Sequence, residues 1–324
     1  MSVLPFKASP RDPGNPVYDF EQFTAYRAGY FAGIAYRSGS SDFYLVSRAP
    51  NGASTVLRTV HYPYAHATPN AVSAMGFTPQ LNLVVAVQNP SYRPTGVAFG
   101  SYKGMYFTGR IGRYLAAGRW ISYMPTGVAD SGRIAGWAAT GSPTHPHYYV
   151  VTWSGVTARP QTLADVGSVH PSVMIDGYGD IAWKGTNGFA VVRKADGSTH
   201  ELDAGSNAAP VNITLAAASQ DSFYAAATNG VFRFTASGKV PAGAAVQGSR
   251  LTTASAAASW VDTAGPRGDL VTGMQSGVLR LADGRRVTMP AQALPPSALS
   301  RVFTRTGVLA YTATDRRVHF LTCH

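Results

Sequence analysis

The feature that most restricts the fold of this chain is a short pattern that recurs along it. A run of alternating or wholly apolar residues ends in a small or polar residue and a glycine, and in the clearest copies a second short strand-like run follows. Asn-Gly and Asp-Gly pairs favour two-residue hairpin turns, because both central positions of such turns have positive φ. The glycines recur at intervals of 41 to 52 residues: Gly52, Gly104, Gly155, Gly197, Gly238 and Gly284.

A second pattern, of two apolar runs separated by a turn, precedes most copies of the first. Its clearest copies are 125–139, 171–185, 212–230, 259–277 and 301–315. Each unit therefore comprises strand, turn, strand, loop, strand, turn and strand. Four antiparallel strands that repeat every 40 to 50 residues are typical of a β-propeller blade. One blade cannot bury both of its faces alone, so we expect the blades to pack face to face in a ring.

The last unit is incomplete, which predicts how the ring closes. It begins near Arg301, and the chain stops after its third strand. An open third strand would leave an unpaired edge, so we expect segment 2–6 to supply the missing outer strand. The predicted fold class is all-β: a single-domain β-propeller over residues 1–324, with seven four-stranded blades, closed by the N-terminal strand in the last blade. The alternative is six blades, with 53–149 forming an irregular one.

Two segments resemble a known repeat. Residues 130–137 (DSGRIAGW) and 176–183 (DGYGDIAW) resemble the turn of HAF-type propeller repeats, and 147–153 (HYYVVTW) resembles the strand that follows it. The resemblance covers two of the seven expected units. It implies the propeller fold and no particular activity, since fold does not fix function. The marks of WD40 repeats and of Asp-box sialidases are absent from the sequence.

Composition removes several classes of protein. With one cysteine, a disulfide scaffold is excluded, and no run approaches the roughly 20 apolar residues of a membrane span. No secretory signal is visible at the N-terminus, so we expect a cytoplasmic protein. The formal net charge is +11, carried mostly by 22 arginines. These arginines are scattered and form no basic run, so a nucleic-acid partner is not expected.

Histidines supply the clearest functional signal. Five of the eight fall in connections that a propeller places on one face of its ring: His61, His66, His145, His147 and His170. Histidine acts as a general acid or base near neutral pH, so we predict catalytic roles for His61, His66, His147 and His170. His145 and His147, two residues apart, are a candidate metal pair. The alternative is that polar residues simply collect in loops.

Aromatic residues accompany these histidines. We predict that a ligand contacts Tyr64, Tyr92, Arg93 and Tyr148. Such a rim suits an uncharged or anionic small organic molecule with apolar surface, since small-molecule sites combine apolar walls with a few polar groups. Alternatively, Tyr148 and its neighbours fill space between blades.

Carboxylates argue against a glycosidase. Glutamate occurs only twice, and Asp130, Asp176 and Asp262 fall where inner hairpins turn, on the face opposite the histidines. No nucleophile elbow, phosphate-binding loop or dinucleotide fingerprint occurs, and we expect no cofactor.

These features lead to two functional hypotheses. In the first, the propeller binds a small molecule and acts as a cofactor-independent, non-hydrolytic enzyme, a lyase, cyclase or isomerase of a biosynthetic reaction. In the second, it is a non-catalytic carbohydrate- or protein-binding module. The oligomeric state stays open.

Overall fold

The computed structural model describes the middle of the chain nearly continuously and its ends in short segments. The described residues are 2–5, 20–36, 42–50, 54–61, 72–88, 102–142, 145–205, 213–227, 230–235, 239–253, 261–264, 270–272, 278–280, 286–288, 301–303, 309–312 and 318–322. Among them every helix or strand element is a β-strand. The all-β class is therefore confirmed. In this part of the chain no helix is long and apolar enough to span a membrane.

The strands of the first half of the chain run from β1 to β13. They are β1 (Ser2–Pro5), β2 (Phe20–Arg27), β3 (Tyr30–Tyr36), β4 (Asp42–Arg48), β5 (Ser54–His61), β6 (Val72–Phe77), β7 (Leu83–Gln88), β8 (Tyr102–Thr108), β9 (Ile111–Tyr114), β10 (Ser122–Val128), β11 (Ile134–Ser142), β12 (His145–Trp153) and β13 (Gln161–Gly167).

The strands of the second half run from β14 to β28. They are β14 (Val173–Ile175), β15 (Ile181–Lys184), β16 (Ala190–Arg193), β17 (Thr199–Asp203), β18 (Thr214–Ala218), β19 (Ser222–Ala227), β20 (Gly230–Thr235), β21 (Val246–Thr253), β22 (Val261–Ala264), β23 (Leu270–Thr272), β24 (Val278–Arg280), β25 (Arg286–Thr288), β26 (Arg301–Phe303), β27 (Leu309–Thr312) and β28 (Val318–Thr322).

Consecutive strands pair antiparallel in groups of four. Four sheets are complete groups: β2 to β5, β6 to β9, β10 to β13 and β22 to β25. Groups β14 to β17 and β18 to β21 are joined into one eight-stranded sheet by a short parallel pairing of β17 with β21. The last sheet has the order β1-β28-β27-β26, so the N-terminal strand completes the C-terminal group as expected.

The first strand of each group lies innermost, and these strands form a closed ring. β2 contacts β6, β6 contacts β10, and the series continues through β14, β18, β22 and β26 back to β2. Where side chains are described, apolar clusters fill the spaces between adjacent groups of strands, from β2–β5 through to β18–β21. The predicted β-propeller fold is confirmed. The number of blades and the single domain over 1–324 stay predictions. The grouping of the strands agrees with both.

A β-bulge recurs in the innermost strands. In β2, β6, β10, β18 and β22 the register with the next strand shifts by one residue on the first strand. A bulge bends its strand and increases the local twist. These strands are therefore bent where the sheets converge on the ring axis.

Three details of the sequence interpretation need correction. Gly104 lies inside β8 and does not end a strand; a Cβ there would come within 3 Å of Leu115 and Pro125 side-chain atoms, so close packing explains this glycine. His145 and His147 open β12, although a loop was expected, because the β11–β12 pairing extends to Ser142. Asp262 lies within β22 at its bulge, whereas the end of a strand was expected.

Candidate functional site

Blade β10–β13 gathers candidate side chains where β11 turns into β12 and β13 leads to β14. We call this the top end of the ring, and the opposite end, where the inner hairpins turn, the lower end. Four candidates are described here: His145, His147, Tyr148 and His170. Asp130 and Asp176 lie in the hairpin turns of the lower end, as the sequence predicts.

His147 is paired with a carboxylate on the neighbouring strand. Its Nε2 lies 2.7 Å from Oδ1 of Asp165 in β13. The same carboxylate oxygen accepts the backbone N–H of Gly167 at 3.0 Å. The Gly167 hydrogen bond, with support from His147, lowers the pKa of Asp165. Asp165 is therefore ionised at neutral pH, and it holds the imidazole of His147 with the Nε2 proton directed toward it.

An aromatic stack adjoins His147 on the same face of the sheet. The His147 ring lies 4.9 Å from the ring of Tyr149, which lies 4.7 Å from that of Trp120. The guanidinium of Arg119 is 4.9 Å from the Trp120 ring centre and 5.7 Å from that of Tyr149. These side chains face the blade β6–β9, since Tyr149 and Trp120 pack in the cluster that contains Val84 and Tyr106.

The other face of β12 presents a different aromatic group. His170, in the connection from β13 to β14, places its ring 4.8 Å from Trp137 and 5.1 Å from Tyr148, near perpendicular to both. Trp137 and Tyr148 are 2 % and 3 % exposed, whereas His170 is exposed. Tyr102 of the preceding blade adds its ring 5.8 Å from Trp137. We call Tyr102, Trp137 and Tyr148 the aromatic platform.

Desolvation by the neighbouring rings favours the uncharged forms of this group. It lowers the pKa of His170, because the neighbouring rings replace part of its water. It raises the pKa of Tyr148 to about 12 and also raises that of Tyr102. At pH 7 the platform therefore carries neutral phenols beneath a neutral imidazole.

The described histidines do not form one site. Side chains of successive strand residues point to opposite faces, so His147 and Tyr148 are directed into different clefts between blades. His170 joins Tyr148 and not His147. His61 ends β5 opposite Asp42, and its side chain lies outside the described ones. His66, Tyr64, Tyr92 and Arg93 lie outside the described residues, so their roles stay predictions.

The candidate metal pair also stays a prediction. His145 and His147 share a face of β12, being two residues apart. Within the part of the chain that the structure describes, no three histidine, cysteine or acidic side chains are grouped to hold a metal ion. The Nε2 atom of His147 is engaged by Asp165.

Sequence reasoning did not select Trp137, Tyr102, Arg119, Trp120 or Asp165 as candidates. A signal existed for two of them, because Arg119 and Trp120 follow Gly118 in the connection from β9 to β10, between two blades. Tyr102 and Trp137 come from different blades, and no local pattern links them.

These sheets and their closed ring define the chain as a β-propeller. No family model and no curated protein sequence matches it, so membership of the HAF repeat class stays a prediction. Among solved structures, the chain is similar to virginiamycin B lyase from Staphylococcus aureus, with TM-score 0.54, 12% identity, and coverage of 100% of this chain and 99% of that one.

Two further solved structures share the fold. For an oligogalacturonate lyase in complex with manganese, the TM-score is 0.56 at 9% identity, covering 91% of this chain and 86% of the other. The β-propeller domain of the trilobed protease from Pyrococcus furiosus has an open velcro topology. Its TM-score is 0.53 at 8% identity, and the match covers 93% of this chain and 96% of that one. At these identities the likeness shows the fold alone.

Proposed function

We propose that this chain is a small-molecule-binding β-propeller whose ligand rests at the top end against His170 and the aromatic platform. The observation that carries the proposal is the position of His170. Its exposed imidazole stands on two buried rings that lower its pKa. Such an arrangement fixes one accessible polar group over apolar rings, of which Tyr102 is partly exposed, and apolar surface with a few polar groups is the usual composition of a small-molecule site.

The proposed reaction is a non-hydrolytic elimination or isomerisation with His170 as general base. Its neutral imidazole takes a proton from a ligand carbon next to an electron-withdrawing group. The electron pair of that C–H bond then forms a double bond, and a leaving group departs with its own pair or the proton returns elsewhere. General bases of this kind contribute roughly 10²–10⁴-fold to a rate. Two fold neighbours are lyases by name, which supports this choice of reaction.

A second candidate function is protein binding without catalysis. All four residues of the outermost strand β9 are exposed, and Ile111 and Tyr114 are 63% and 55% exposed. Exposed apolar side chains on an open sheet edge are a common feature of protein-binding surfaces.

Nuclear magnetic resonance can test the proposed site with phenol and indole as neutral aromatic probes. Saturable shifts of the Trp137 indole N–H resonance are expected, assigned with a Trp137→Phe variant. His170→Ala should weaken binding about fivefold or more, because the ring that caps Trp137 is lost. His145→Ala is the matched control, being a histidine at the same end on the other face of β12. Unsaturable shifts, or equal weakening in both variants, would overturn the site.

A second measurement separates catalysis from binding. Compounds with an acidic C–H bond that bind at Trp137 are followed by mass spectrometry for elimination or isomerisation. His170→Gln is expected to lower the turnover rate about 100-fold or more with little change in affinity. Binding without turnover by the wild-type protein would identify the non-catalytic alternative.

A further inference from the structure

Arg119 has no assigned role, although its surroundings are built like a binding site. The guanidinium lies against Trp120 and Tyr149 with its charge exposed to solvent. Within the part of the chain that the structure describes, no carboxylate forms a salt bridge with it. The carboxylate that accompanies this aromatic stack, Asp165, is already paired with His147.

The connection that carries Arg119 is held in place by hydrogen bonds to its surroundings. Trp153 donates its Nε1–H to the carbonyl of Ala116 at 2.9 Å. The backbone N–H of Ile121 binds the carbonyl of Ala139 at 3.2 Å, and Trp120 binds Ala117 within the turn. Gly118 supplies the positive φ, 59°, that this turn requires. A cation fixed in this way loses little conformational freedom when a ligand binds.

The chemistry of the group selects its ligand. An arginine stacked on aromatic rings keeps the N–H groups of its planar edge available, and these match the two oxygens of a carboxylate. Arg119 supplies one positive charge, and Asp165 is engaged by His147. This favours a monoanion over a phosphate dianion. Half-exposed Ile121 and the partly exposed ring of Tyr149 offer apolar surface beside it.

We propose that Arg119, Trp120 and Tyr149 form a second ligand site, which binds the carboxylate of a small molecule with an apolar or aromatic body. The site faces the cleft toward blade β6–β9, whereas His170 faces the cleft toward β14–β17. It does not depend on the function proposed for His170.

The test uses 4-fluorobenzoate as probe and uncharged 4-fluorobenzamide as its isosteric control, observed by fluorine resonance. We expect saturable binding of the benzoate with a dissociation constant on the order of millimolar. The indole N–H resonance of Trp120, assigned with Trp120→Phe, should shift in parallel. The benzamide should bind about tenfold more weakly, since it lacks the charge that the guanidinium recognises.

Variants locate the binding. Arg119→Gln should raise the dissociation constant for the benzoate about tenfold or more, and Arg119→Lys should raise it by less, because the charge remains but the fork is lost. Arg250→Gln removes an exposed arginine that also lies over an aromatic ring, Phe232, but in blade β18–β21, and it should leave binding at the Trp120 resonance unchanged. Equal weakening by Arg250→Gln, equal binding of the benzamide, or tighter binding of inorganic phosphate at the Trp120 resonance would overturn the proposal.

Discussion

Asp176 shows how much of the lower end depends on one carboxyl group. Its Oδ1 accepts the backbone N–H groups of Gly179 and Asp180 at 2.8 and 2.9 Å, which closes the hairpin turn between β14 and β15. The residue is 1% exposed, and its Oδ2 has no hydrogen-bond partner within the described residues. Burial, together with the nearby charge of Asp180, raises the pKa of Asp176 to about 7.

This pKa predicts a pH dependence of stability. The folded state keeps the Asp176 proton up to about pH 7, whereas the unfolded chain releases it near pH 4. Ionisation is therefore penalised in the folded state, and the free energy of unfolding falls as pH rises from 4 to 7, by about 4 kcal/mol at most from this group. Asp176→Asn cannot ionise, so its stability relative to the wild type should rise across that window and level off above it.

Urea unfolding between pH 4 and 8 measures this difference. Asp196→Asn, in an exposed turn of the same blade, is the control. Hydrogen bonds from Ser198 lower the pKa of Asp196, so the titration of Asp196 changes stability only below about pH 4. Parallel stability curves for the wild type and Asp176→Asn would contradict the buried titration.

At the scale of single elements, the bulge of β10 requires a glycine at one position of its partner strand. The register of β10 shifts between Pro125 and Gly127, opposite Gly136 and Ala135 of β11. A Cβ on Gly136 would meet the carbonyl oxygen of Met124 and come 2.8 Å from the Cα of Pro125. Both are backbone atoms of the strand on which the bulge is built, so neither can move without disturbing the pairing.

Gly136→Ala should therefore destabilise the protein, by about 2 kcal/mol, a usual size for overpacking. Gly155→Ala is the matched control, because a Cβ at Gly155 meets nothing within 4 Å and its φ is not positive. Thermal unfolding of both variants measures the effect. A Gly136→Ala protein as stable as Gly155→Ala would show that the bulge can relax without cost.

The same elements show how far the sequence predicts this fold. The Asp-Gly turn at Gly197, with φ of 93°, is a hairpin as expected, because the two residues of the turn suffice to specify it. The sequence wrongly predicts a turn at Gly104. The absence of a side chain is required there by Leu115 and by Pro125 of the next blade, which pack against this glycine. A glycine that ends a strand and one that admits a neighbour look alike in sequence.

The candidate site is predictable only in part for the same reason. The predicted position at the top end of the ring is correct for His147 and His170. The order of strands and connections along the chain decides at which end each connection lies. Their separation depends on the exact register of β12, which sends Tyr148 and Tyr149 to opposite faces. The aromatic platform joins Tyr102 to Trp137 across two blades, and only the assembled ring brings them together.

At the scale of the whole molecule, described inner hairpin turns of different blades bind one another at the lower end. Asp130 donates its backbone N–H to the carbonyl of Gly177, and Gly177 donates to that of Ser219, one blade further on. Gln220 adds a side-chain hydrogen bond to Asp130 at 2.6 Å. Arg27 reaches the carbonyls of Phe77 and Asp130, in the next two blades. Within the described residues, the first five groups of strands are thus linked at the lower end by polar contacts as well as by apolar packing.

Closure of the ring depends on the pairing of β1 with β28, in register from Ser2↔Thr322 to Pro5↔His319. Deleting residues 1–5 leaves an open edge on β28, and unpaired strand edges are destabilising and prone to association. We expect the thermal midpoint to fall by roughly 4 °C or more. A synthetic peptide of residues 1–6 should restore it in a saturable way, whereas a scrambled peptide of the same composition should not, because register requires Leu4 opposite Phe320. If the truncated protein is as stable as the full chain, or both peptides act alike, the two ends do not close the ring by specific strand pairing.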